Sequence, residues 1–151
     1  MLPHLQILYL RSLKSLKIVA KAKSLSKVWG LKLLQLKDCP ELTDLFCQGV
    51  LEKLSELETL VIENCGSIKE LILKPSESEV QVLPELLTLR LLNLPQLRAI
   101  CADESVLWPS LQVLEINECP ALKKPPITKE RAPKLTVCEG EQLKKWMSTS
   151  M

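Results

Sequence analysis

A chain of 151 residues with 46% hydrophobic side chains can bury a continuous core, yet only 3% of it is aromatic, so leucine must carry the packing. Ten prolines and only four glycines exclude collagen-like and glycine-linker chains. The net charge of +2 hides a segregation: residues 1–37 hold eight bases and no acid, residues 38–107 thirteen acids against five bases, and residues 108–151 seven bases against five acids. In chain order, the first apolar series is Leu5, Leu8, Leu10, Leu13, Leu16 and Val19. The second is Leu31, Leu34, Leu36, Cys39, Leu42 and Leu45, and the third Leu57, Leu60, Ile62, Cys65, Ile68 and Leu71. Leu86, Leu89, Leu91, Leu94, Leu97 and Ile100 form the fourth. Leu111, Leu114, Ile116, Cys119 and Leu122 form the fifth, where Pro125 takes the sixth slot.

The first leucines of successive copies lie 26, 26, 29 and 25 residues apart, within the range of leucine-rich repeats. Inside each copy, apolar residues first alternate with mostly polar ones, the signature of a short strand with one buried face. They then recur every third place, a turn-rich or 3₁₀-like path that brings the chain back under the sheet. One such coil cannot bury its leucines alone and must stack on its neighbours. The expected fold is therefore an α/β leucine-rich-repeat solenoid with a parallel concave β-sheet and an irregular, short-helical convex side. About five repeats occupy residues 1–124, and residues 125–151 form a C-terminal cap and tail through Leu135, Val137, Leu143 and Trp146. Val50, Leu51, Leu54 and Leu57 have helical spacing and predict one short helix on the convex side. Residues 75–82 read as a polar surface loop. Leu5 follows so soon after Met1 that the first layer is expected to be open to water, as in a fragment of a longer protein or a truncated gene product.

Cys39, Cys65 and Cys119 share one slot with Leu13 and Leu94, which marks a buried apolar position and predicts free buried thiols. Cys47, Cys101 and Cys138 have no partner at metal-site spacing, no Cys-x-x-Cys occurs, and His4 is the single histidine. The scattered Gly30, Gly49, Gly66 and Gly140 build no phosphate-cradling loop. No cofactor, metal or catalytic constellation is expected, and no small-molecule substrate. No stretch approaches the roughly eighteen apolar residues of a membrane span. The N-terminus lacks the charged start and apolar run of a signal peptide, and Asn-x-Ser/Thr is absent, so a soluble cytoplasmic chain is expected.

In such a solenoid the outward strand residues form columns on the concave face. Tyr9, Gln35, Val61, Arg90 and Glu115 stand between paired leucines, and Arg11, Lys37, Glu63, Leu92 and Asn117 follow each strand core. These ten are the candidate protein-binding residues, on a surface whose sign changes from basic to acidic along the stack. Two readings stand: a ligand-specific face with Tyr9 and Arg90 as anchors, or ordinary strand-face variation without a partner in this segment. The basic N-terminal end fits contact with an acidic neighbouring domain better than nucleic acid, since few aromatics and no reader motif accompany the lysines.

Leu36-Lys37-Asp38-Cys39-Pro40-Glu41-Leu42-Thr43-Asp44-Leu45-Phe46 resembles the Leu-x-x-Cys-Pro-x-Leu-x-x-Leu-Phe repeat of plant intracellular immune receptors. Leu57–Leu71, with Ile62-Glu63-Asn64-Cys65, and Leu83–Ile100 are similar to it as well. Trp108-Pro109-Ser110-Leu111 through Cys119-Pro120-Ala121-Leu122 resembles the last repeat of coiled-coil nucleotide-binding leucine-rich-repeat disease-resistance proteins, and the tail from Ala132 to Trp146 looks like their C-terminal end. The resemblance implies recognition of a pathogen effector or a guarded host protein and restraint of a nucleotide-binding domain. With no phosphate loop among these 151 residues, it implies no ATP hydrolysis by them. The alternative is a stand-alone repeat scaffold or a non-functional truncated product.

Overall fold

The computed structural model describes residues 6–15, 30–43, 54–72, 83–101 and 106–149, with side chains up to 145. Six strands form one parallel sheet: β1 (Ile7–Arg11), β2 (Leu33–Lys37), β3 (Thr59–Glu63), β5 (Thr88–Leu92), β7 (Val113–Asn117) and β8 (Val137–Glu139), in that spatial order. Two shorter strands, β4 (Glu70–Ile72) and β6 (Ala99–Cys101), pair parallel in a second sheet. Helix α1 (Glu141–Thr149) follows β8. Purely parallel pairing between sequential coils is what a solenoid requires, because each crossover returns the chain to the same end of the sheet.

The strands form where the apolar alternation places them, and their register follows the repeat. Leu8 lies opposite Leu34, Leu34 opposite Leu60, Leu60 opposite Leu89 and Leu89 opposite Leu114. The inward residues from β2 to β7, Leu34, Leu36, Leu60, Ile62, Leu89, Leu91, Leu114 and Ile116, are at most 1% exposed. After each strand the chain turns through the shared Cys/Leu slot. The N–H of Leu42, Ile68, Leu97 and Leu122 donates to the carbonyl three residues back, at 3.2–3.5 Å. This is the expected turn-rich path. In two coils it straightens into β4 and β6, which the sequence pattern does not reveal because three residues are too few for an alternation.

Two other expectations take a different form. The tail adds a sixth strand: Leu135 and Leu143 are buried, Val137 is exposed, and β8 pairs in register with β7. The described part of the expected convex helix is a turn closed by Leu57 N–H on the Leu54 carbonyl, and its remainder lies outside the described residues. Leu5, Leu16, Val19, His4, Cys47, the 75–82 loop and the Trp146 side chain also lie outside them.

Candidate functional site

The outward face of the six-stranded sheet gathers all ten candidate residues. Tyr9, Gln35, Val61, Arg90 and Glu115 are consecutive partners in one column, which Glu139 extends. Arg11, Lys37, Glu63, Leu92 and Asn117 form a second column beside it. A third consists of Ile7, Leu33, Thr59, Thr88, Val113 and Val137, almost entirely aliphatic or β-branched. Ile7 and Tyr9 are more than half exposed.

Charges on this face largely cancel between neighbouring strands. Lys37 Nζ lies 3.0 Å from Glu63 Oε2, and Arg90 Nε 3.3 Å from Glu115 Oε1. Such exposed pairs contribute little stability, about 0–1 kcal/mol each, but they fix side-chain positions and neutralise the middle of the face. Arg11 and Glu139, at opposite ends of the sheet, form no ion pair among the described residues. The sign change expected along the stack is thus concentrated at its two ends.

One flank of the face carries a polar ladder. Ser12, Asp38, Asn64, Asn93 and Glu118, each directly after its strand, hold φ between 52° and 58°. Asn and Asp tolerate this left-handed conformation best, since their short side chains can hydrogen-bond locally. Asn64 Nδ2 donates to Asp38 Oδ1 at 2.9 Å and Asn93 Nδ2 to Asn64 Oδ1 at 2.7 Å. The spacing of the repeats does not by itself reveal these hydrogen bonds. The signal was the run of Asp, Asn and Asn at one slot of three adjacent copies.

The cysteine slot is more than apolar. Cys39, Cys65 and Cys119 each turn a thiol to the carbonyl two residues back, at 3.5, 3.4 and 3.6 Å, and all three are fully buried. Burial pushes the Cys65 thiol up to about 11 and raises that of Cys119 as well, so both stay protonated and poorly nucleophilic. No group of three or more His, Cys, Asp or Glu stands ready for a metal among the described residues. No helix among them is long and apolar enough to cross a membrane.

Residues 1–66 match the family of plant disease resistance protein RPS2-like leucine-rich repeats. A probable disease resistance protein of Arabidopsis thaliana is 38% identical over 104 residues, covering 64% of this chain and 11% of its own length. The chain thus spans about a tenth of that curated relative. No solved structure matches. Parallel coils stacked at the repeat spacing make the chain a leucine-rich-repeat solenoid, whose first 66 residues are similar to the repeats of plant disease resistance proteins.

Proposed function

We propose that the chain is the non-catalytic protein-recognition segment of a plant intracellular immune receptor acting in the cytoplasm. Its outward sheet face engages a pathogen effector or a guarded host protein, and its repeats help to restrain the nucleotide-binding domain of the larger receptor. Residues 1–124 supply the repeats, and residues 125–151 close the stack. The observation that carries this reading is the register-aligned face. The strands present Tyr9 and the Arg90–Glu115 pair beside a column of aliphatic and threonine side chains, with charges neutralised in the middle. Aromatic and arginine side chains of this kind dominate binding energetics at protein interfaces.

The test is affinity capture from leaf extract with the intact chain, Arg90→Glu, Tyr9→Ala, and Lys123→Glu on an exposed residue outside the sheet. A specific protein should be retained by the wild type and Lys123→Glu, and bound at least about tenfold more weakly by the two face variants. Equal retention by all four proteins, with unchanged thermal melts, would refute the use of this face.

A further inference from the structure

Two of the slot cysteines stand side by side. Strands β2 and β3 pair in register as far as Lys37 and Glu63. The chains then stay together: Asp38 and Asn64 take the same backbone, with φ 57° and 55°, and their side chains are hydrogen-bonded at 2.9 Å. The next residues are Cys39 and Cys65, both buried to 0% exposure. Chains paired in this way run about 4.8 Å apart, inside the roughly 4.4–6.8 Å that a disulfide needs between its Cα atoms. Cys39 is also near enough for its backbone and thiol to act on the titration of Cys65.

The thiol hydrogens are dispensable here. Cys39 Sγ donates to the Lys37 carbonyl and Cys65 Sγ to that of Glu63. The Lys37 carbonyl also accepts from Ser12 N–H at 2.9 Å, and the Glu63 carbonyl from Asp38 N–H at 3.1 Å. Losing both thiol donors therefore leaves neither carbonyl without a partner. Cys119 occupies the same slot with the same burial, but its counterpart in the preceding coil is Leu94, which offers no sulfur.

We propose that Cys39 and Cys65 form a dithiol modification site, which reacts with a small disulfide such as oxidised glutathione and closes to a bond stapling the second coil to the third. When the coils part, one thiolate attacks a sulfur of oxidised glutathione and expels the first glutathione thiolate. The second cysteine thiolate then attacks the protein sulfur of that mixed disulfide and expels the other. The two cysteines lose two protons and two electrons, and two molecules of reduced glutathione form. Burial makes opening of the coils the gate to this reaction. In a reducing compartment the link is transient and registers oxidation. It lies directly behind the Lys37–Glu63 ion pair, and is independent of what the outward face binds.

The test refolds the full chain from urea into mixtures of oxidised and reduced glutathione, so that burial does not bar access, with a parallel sample kept in urea. Acid quenching and alkylation of free thiols precede digestion. Cleavage after lysine and glutamate places Cys39 in residues 38–41 and Cys65 in residues 64–69, apart from Cys47. In the folded sample these two fragments should be linked. The equilibrium constant for the link against glutathione should be on the order of tenfold or more larger than in urea, because folding holds the sulfurs together. The proposal is overturned if both thiols stay free in excess oxidised glutathione, or if each keeps a glutathione of its own. It is also overturned if either pairs mainly with another cysteine, or if the link is no more stable in the folded chain than in urea.

Discussion

Five residues at equivalent turns, Ser12, Asp38, Asn64, Asn93 and Glu118, hold left-handed backbone, which costs most L-residues about 1–2 kcal/mol. Asn64 offsets that cost through two side-chain hydrogen bonds, as donor to Asp38 and acceptor from Asn93. Ser12 and Glu118 take the same backbone at the two ends of this column, and the Ser12 N–H donates to the Lys37 carbonyl at 2.9 Å. One residue further on, burial governs the thiols. Cys65 is raised from 9.0 to about 11, chiefly by desolvation. Between those two values the native thiol keeps its proton while the unfolded one loses it. Stability from this group is therefore fully present below about pH 9 and is lost as pH rises toward 11, with a slope approaching about 1.4 kcal/mol per pH unit. Urea denaturation of the wild type and Cys65→Ala from about pH 8 to about pH 10.5 checks this. The wild type should lose stability more steeply, and parallel curves would show that the thiol is not held from water.

At the scale of elements, the strands β1, β2, β3, β5 and β7 were legible because alternating leucines state both the strand and its buried face. The last strand was less so. Leu135 fills the first slot of a further copy, but Cys138 and Gly140 stand where the second and third leucines would be. Gly140 has φ 97°, and a Cβ there would run into the Ile116 carbonyl, so backbone replaces side chain at this contact. The ion pairs Lys37–Glu63 and Arg90–Glu115 join charges at one slot of adjacent copies. They could be read from the repeat alignment, but only once the register was known. The way α1 meets the last coil could not be read at all, because it rests on one side chain. Gln142 Oε1 accepts from Cys119 N–H at 2.9 Å, and its Nε2 donates to the Cys119 carbonyl at 2.6 Å. A single amide thus serves the turn where a further coil would otherwise continue the stack. Gln142→Ala should cost about 1–3 kcal/mol by leaving these peptide groups unsatisfied, and the Cys119 amide should exchange faster than its neighbours. An unchanged Cys119 amide would contradict this assignment.

The whole molecule behaves as a stack in which each layer is covered by the next. Its stability is then a sum over coils and the interfaces between them, and the burial gradient from β1 to β7 states where that stability lies. The aliphatic core leaves no buried side-chain nitrogen or oxygen without a partner among the described residues. The outward face is therefore free to vary without disturbing the fold, as a recognition surface requires. The leucine slots stack in the observed register, with full cover from β2 to β7 and partly buried leucines in β1. Chemical denaturation of Leu89→Ala beside Leu8→Ala tests this stacking most directly. Leu89 is fully buried, so its truncation should cost about 2–5 kcal/mol, while half-buried Leu8 should cost about 1 kcal/mol. A neutral Leu89→Ala, or a Leu8→Ala that costs as much, would contradict the register and the stack built on it.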